Sequence, residues 1–153
     1  MALAAMVAVA LCPAVSCAQQ IAASQVPASV KAGVQARFPG ATVTEWKLKG
    51  KEYEAEFTLN KIDIAAKFDA TGKWLETETA IAPQKVPVAI RYKFASQFAG
   101  YKVVETQSLQ RGDGSGLIYE VHFENSKEVV KAQFAPDGKT LERSAKVKSA
   151  KGK

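Results

Sequence analysis

Val26-Pro27-Ala28-Ser29-Val30 opens one stretch of the chain, and Val86-Pro87-Val88-Ala89-Ile90 opens another sixty positions later. The correspondence runs on. Phe38-Pro39-Gly40 is answered by Phe98-Ala99-Gly100, and Val43-Thr44-Glu45 by Val103-Val104-Glu105. The offset then becomes sixty-six: Tyr53-Glu54 meets Tyr119-Glu120, Phe57 meets Phe123, Phe68 meets Phe134, and Gly72-Lys73-Trp74-Leu75-Glu76 meets Gly138-Lys139-Thr140-Leu141-Glu142. A six-residue insertion around Gln110 to Ser115 accounts for the change. The chain is therefore a tandem repeat, and its fold has to be read one unit at a time.

Each unit opens with a helix pattern. Val26, Val30, Val34 and Phe38 are spaced by four, as are Val86, Ile90, Phe94 and Phe98, which places them along one face. Pro27 and Pro87 stand near the helix start, where a missing N–H costs nothing. Pro39 disfavours helix at Phe38, and Gly40 and Gly100 can reverse the chain. Strand patterns follow. Tyr53, Ala55, Phe57 and Leu59 alternate with Glu52, Glu54, Glu56 and Thr58; Ile62, Ile64, Ala66 and Phe68 alternate with Asp63, Ala65 and Lys67. Period two buries one face and leaves the other wet. Asn60-Lys61 is short enough for a tight hairpin, Gly72 suits a hairpin turn with a bulge, and a last strand runs from Lys73 to about Ala80.

The second unit copies this, with Tyr119, Val121 and Phe123, then Val130, Ala132 and Phe134, facing inward. The expected class is α+β: two tandem helix-plus-four-stranded-antiparallel-sheet repeats, over 19–82 and 83–147, packed as one unit. Either repeat alone would bury a marginal core. We expect the sheets to join edge to edge, with one helix over the apolar face of each and the opposite faces polar and open.

Residues 1–18 carry no charge and read as a signal peptide with cleavage near Ala18, although no Lys or Arg precedes the apolar run. That run is too short to span a bilayer, which needs about 20 residues. Cys12 and Cys17 both lie in this leader, so cleavage before Gln19 leaves no thiol chemistry. Lipid anchoring at Cys17 is the lesser alternative. Most of the net charge of +6 sits from Glu142 onward, in Arg143, Lys146, Lys148, Lys151 and Lys153. This basic run, including a tail over 148–153, reads as solvated, with weak attraction to anionic surfaces as its functional reading. It does not make a basic fold, and neither a nucleic-acid partner nor a membrane span is expected.

The doubled Val-Pro helix, the Phe-x-Gly turn, the strand pair with Tyr-Glu-x-x-Phe and the closing Gly-Lys-x-Leu-Glu strand resemble the PepSY-like family of bacterial secreted proteins. The resemblance covers Val26 to about Val147. It implies a fold like that of the beta-lactamase inhibitor protein and a periplasmic, non-enzymatic role in binding or inhibiting other proteins, with no catalytic residues to carry over.

No cofactor or metal is called for. His122 is the single histidine, placed by alternation on the open face beside Glu120 and Glu124; zinc sites normally converge three or four ligands. A serine triad would also need His122, and no Gly-x-Ser-x-Gly supports one. Glu52, Glu54 and Glu56 form a carboxylate row about 7 Å from neighbour to neighbour, for which Lys67, Lys47 or Lys49 are candidate cross-strand partners. Arg111-Gly112-Asp113 spells a short adhesion tripeptide inside a Gly-rich hairpin loop that breaks the internal symmetry, and loops carry function more often than cores. Trp74 is expected on the open face with Glu76 and Glu78, next to inward Leu75. The face of Trp46 is open to either reading, because its counterpart Thr106, like Thr140 for Trp74, is small and polar. The expected partner-binding residues are thus Trp74, Trp46, Glu54, Glu56, Lys67, Arg111, Asp113 and His122, on the open sheet face and the 110–117 loop of an exported binding domain whose partner is an envelope or secreted protein. The alternative is a small-molecule or lipid carrier with a cavity between helices and sheet.

Overall fold

The computed structural model describes residues 18–148. The expected signal peptide, Ala18 apart, and the tail beyond Lys148 lie outside the described residues. A short strand β1 (Gln19–Ile21) precedes helix α1 (Ala28–Arg37) and strands β2 (Glu45–Lys49), β3 (Glu52–Leu59), β4 (Ile62–Phe68) and β5 (Trp74–Ala80). Helix α2 (Val88–Gln97) and strands β6 (Lys102–Arg111), β7 (Leu117–Glu124), β8 (Glu128–Phe134) and β9 (Thr140–Val147) follow. All the strands form one antiparallel nine-stranded sheet in chain order, so the fold is α+β. The units join edge to edge as β5 pairs with β6, from Glu76 opposite Arg111 to Ala80 opposite Gln107.

Local chemistry sets the elements. Pro27 and Pro87 hold the N-cap positions of the two helices, with φ of −55° and −50°. Both helices stop before Gly40 and Gly100, whose φ values of 80° and 83° reverse the chain. Asn60 and Lys61, at φ 52° and 64°, make the two-residue turn between β3 and β4, the left-handed pair that matches strand twist. Gly72 does more than turn. At φ +87°, a Cβ there would lie 2.3 Å from the Ser29 carbonyl oxygen, so α1 rests directly on the β4–β5 turn.

Each helix covers one core. Val26, Val30 and Val34 meet Ala55, Phe57, Ala66 and Phe68; Val86, Ile90 and Phe98 meet Val121, Phe123, Val130, Ala132 and Phe134. The Phe98 ring stacks on Phe123 at 3.8 Å. These are the inward residues of the strand alternation.

β1 shows that the repeat starts earlier than the Val-Pro pair. Ile21-Ala22 is matched by Ile81-Ala82 sixty positions on. Ile21 sits opposite Trp46 on β2, and the Ile81 N–H donates to the Thr106 carbonyl at 3.0 Å. This explains the unequal pair Trp46 and Thr106. Thr106 lies at the junction of the units and its hydroxyl donates to the Ile81 carbonyl at 2.6 Å. Trp46 lies near the outer edge, where only a three-residue strand covers β2, and its ring fills the space.

The basic C-terminal run is not a solvated tail from Glu142. Arg143 and Lys146 belong to β9, Arg143 lies 5.1 Å from the Phe98 ring, and the Lys148 N–H donates to the Lys127 carbonyl at 2.8 Å. Lys151 and Lys153 lie outside the described residues. Among the described residues, no helix is long and apolar enough to cross a membrane.

Candidate functional site

The helices share one side of the sheet, and strand alternation fills the other with charge. Lys67 on β4 stands at the middle of the first unit's helix-free face, opposite Glu54 on β3 and Glu76 on β5. Its ammonium donates to Glu76 at 2.7 Å and Glu78 at 2.5 Å and lies 3.9 Å from Glu54. Burial alone would lower the Lys67 pKa; the Glu78 charge and the hydrogen bonds to Glu76 and Glu78 override it and hold the ammonium above its ordinary value. Burial pushes the Glu54 carboxyl up against the pull of Lys67. Lys47 pairs with Glu56 and Glu45, so Lys67 and Lys47, not Lys49, answer the carboxylate row.

The network crosses the junction. Arg111 donates to Glu76 at 2.7 Å and to Gln133 on β8 at 3.1 Å, and Gln133 donates to Glu120 at 2.8 Å. Glu120 is the centre of the second unit's face and is 2% exposed. His122 and Lys131 each approach it to 2.8 Å, and the other His122 nitrogen lies 2.7 Å from Glu105. Burial alone would raise the Glu120 carboxyl, but hydrogen bonds from His122, Lys131 and Gln133 bring it down to about 2. Glu120 is the counterpart of Glu54 and Gln133 of Lys67. The first unit thus sets one cation among carboxylates, and the second sets one carboxylate among donors. Leu109 and Ile118, opposite one another on this same face, are buried. They break the polar alternation of β6 and β7, a signal that sequence reading passes over.

Besides a hollow of about 450 Å³ against His122, Val129, Lys131 and Lys146 at the β9 end, two more mark the face. One, of about 310 Å³, lies against Lys67, Glu76, Arg111 and Asp113. The other, of about 300 Å³, is rimmed by Glu56, Asp63, Glu78 and Glu105, with Ala65 and Ala80 among its lining. Gln107 lines it too, and its Oε1 is buried without a donor. Among the described residues no Lys or Arg lines this hollow, although Glu56, Glu78 and Glu105 are engaged from outside it by Lys47, Lys67 and His122. Asp63 is the rim carboxylate with no ion pair among the described residues.

Glu54, Glu56, Lys67 and His122 therefore share the helix-free face, as the alternation implies, and Arg111 joins them there. Arg111 ends a strand instead of belonging to the loop, which covers 112–116; there Asp113 accepts from the Ser115 N–H at 2.8 Å. Both tryptophans need correction. Trp46 is 8% exposed and belongs to the first core. Trp74 faces the helix side, because a bulge makes Leu75 the extra residue and sets Trp74 opposite Phe68. Its Nε1 donates to Thr77 at 2.9 Å, and the Arg37 guanidinium lies 3.4 Å from its ring centre. The Gly72 turn signals that bulge, but its effect on side-chain parity is invisible to simple alternation. Arg37, which also reaches Gln110 on β6 at 3.5 Å, is the helix-side residue that sequence reading misses. Among the described residues, no group of three or more His, Cys, Asp or Glu side chains is placed to hold a metal ion.

The family model described as "Putative beta-lactamase-inhibitor-like, PepSY-like" matches residues 15–65 and 51–142. The chain belongs to this family. Solved structures agree on the fold of this PepSY-like protein. A DUF2874 family protein from Bacteroides uniformis is 24% identical, with a TM-score of 0.71 over 78% of this chain and 88% of that one. A BLIP-like protein from Bacteroides fragilis is 22% identical, with a TM-score of 0.68 over 83% of this chain and 92% of that one. A structure described as "putative periplasmic proteins" from Bacteroides eggerthii is 22% identical, with a TM-score of 0.72 over 78% and 88% of the two chains. The comparison with curated proteins returns no match.

Proposed function

We propose that this PepSY-like protein is an exported, non-catalytic binding module that presents the helix-free face of its sheet to another envelope or secreted protein. The carrying observation is the acceptor-rich hollow beside Glu56, Asp63, Glu78 and Glu105, where Gln107 Oε1 is buried without a donor. A Lys or Arg of a partner entering the hollow would meet the exposed Asp63 and Glu105 carboxylates on its rim, where charge-assisted hydrogen bonds are the strong ones. The surrounding ion-pair network holds the face rigid, so binding would order few side chains. Inhibitor-like action, carried in the family's description, is one form such binding takes.

Export to the periplasm is supported by the leader pattern over 1–18 and by the periplasmic description of the Bacteroides eggerthii relative. The carrier alternative draws less support, since Val30, Val34, Phe68, Ile90 and Phe123 fill the layer between helices and sheet.

The test is capture from an envelope extract by the wild-type protein, by Asp63→Lys/Glu105→Lys, and by the helix-side control Lys31→Glu. All three positions are exposed. A protein held by wild type and control but lost from the double variant is expected. Equal retention by all three would remove this face from consideration.

A further inference from the structure

The repeat shows one strand in two situations. β5 and β9 are counterparts sixty-six positions apart. In β5, the Leu75 carbonyl accepts from the Gly112 N–H at 2.7 Å and the Ile81 N–H donates at 3.0 Å, so β6 takes up the outward main-chain groups. β9 ends the sheet, with β8 on one side, no strand on the other among the described residues, and all its residues exposed. Because the Lys148 N–H donates to Lys127, the hydrogen-bonded pairs with β8 fall at Lys146, Ser144 and Glu142. The main-chain groups of Arg143, Ala145 and Val147 then point outward, as do those of their β5 counterparts.

We propose that β9 is a self-recognition edge, through which two copies join antiparallel about a two-fold axis at Ser144 and continue the sheet from one copy into the next. In this register Arg143 and Ala145 exchange main-chain hydrogen bonds with Ala145 and Arg143 of the second copy. Glu142 faces Lys146 of the second copy, and symmetry forms that pair twice. Both charges lie on the helix-free face in closely spaced, non-hydrogen-bonded positions. Leu141 and Val147, 47% and 74% exposed, are set opposite one another.

The remaining cations of the edge are already engaged, Arg143 over Phe98 and Lys148 with Glu124. Glu142 and Lys146 have no ion pair among the described residues. Other arrangements match less well. A two-residue slip one way sets Arg143 against its own copy, and the other way sets Ser144 against Lys146. Head-to-tail addition in the β5–β6 register would set Lys146 against Lys47, on an edge where β1 is already seated. A lysine on an exposed edge usually discourages pairing; here Glu142 stands at the mirrored position to receive it.

Sedimentation equilibrium on wild type, Lys146→Glu and Glu142→Lys/Lys146→Glu tests this, with amide hydrogen exchange on the wild type. The expected results are a wild-type dimer, a dissociation constant weaker by about tenfold or more in the single variant, and recovery in the double variant, whose pairs are restored with reversed signs. The Arg143 and Ala145 amides should be protected at high concentration and exchange freely on dilution. A wild type that stays monomeric into the millimolar range overturns the proposal. So does a dimer that Lys146→Glu leaves intact, one that the double variant fails to restore, or one that leaves those two amides unprotected.

Discussion

Replacing Glu120 by Gln keeps the side chain's volume and removes the charge on which the second unit's face converges. The wild-type carboxyl is 2% exposed. Burial works against its charge, yet hydrogen bonds from His122, Lys131 and Gln133 take it from 4.5 to about 2. A carboxyl whose folded pKa lies below its unfolded one stabilises the fold at every pH above the unfolded value. That contribution is lost as the pH falls through the folded value. At about 1.4 kcal/mol per pH unit of displacement, it amounts to about 3 kcal/mol at neutral pH. Glu120→Gln should therefore lose about 3 kcal/mol near neutrality, with the gap to wild type closing as the pH falls from 4.5 towards 2. Urea unfolding followed by tryptophan fluorescence, with both proteins at each pH, reads this directly. Glu76, Asp69 and Asp113 are also held below their ordinary values, but both proteins share them and the difference largely cancels their titration. A gap below about 1 kcal/mol at neutral pH, or one that persists unchanged into acid, would refute the reasoning.

Gly72→Ala and Gly40→Ala both force a side chain to positive φ, but only at Gly72 would the Cβ meet backbone, at 2.3 Å from Ser29 O. Thermal unfolding should show Gly40→Ala losing about 1 kcal/mol and Gly72→Ala at least about twice that, because α1 must shift. Lys67→Met leaves Glu54, Glu76 and Glu78 without their shared ammonium and should cost about 3 kcal/mol at neutral pH. The Glu54 carboxyl, already pushed up by burial, then loses the pull of Lys67 and holds its proton more tightly folded than unfolded, so urea titrations should show the variant recovering as pH falls. Arg37→Ala uncovers the Trp74 ring and should cost about 1 kcal/mol, with a change in tryptophan emission that is absent in a Trp74→Phe background.

The fold was legible because the repeat supplied each pattern twice: the four-residue apolar spacing of α1 and α2, the alternation of β3, β4, β7 and β8, and glycines at matching turns. The ends were harder. β1 is too short to carry a period of its own, and β9, expected only by analogy with β5, carries cations that also read as a basic run, because it lies at an edge where no residue needs to be buried. At the candidate site, alternation placed Glu54, Glu56, Lys67 and His122 on one face, while Arg111, which reads as part of the loop, joins that face as the last residue of β6. Alternation failed at Trp74, where one extra residue at Leu75 reverses the side to which the ring points. It also gave no hint that Glu120 is buried, since burial on a helix-free face comes from neighbouring strands and not from β7 itself. Trp46 was ambiguous for a related reason: its polar counterpart Thr106 suggested exposure, when the difference reflects an outer edge against an inner junction.

The measurement that tests the functional account most directly is site-specific photo-crosslinking in an intact envelope extract. One protein carries the photoreactive residue at Asp63, beside the acceptor-rich hollow, and another carries it at Tyr92, 74% exposed on α2. The account predicts a discrete crosslinked partner from Asp63, abolished by Glu105→Lys in the same chain, and no such species from Tyr92. A partner trapped from Tyr92 and not from Asp63 would contradict it, because the binding surface would then be the helix side of the sheet.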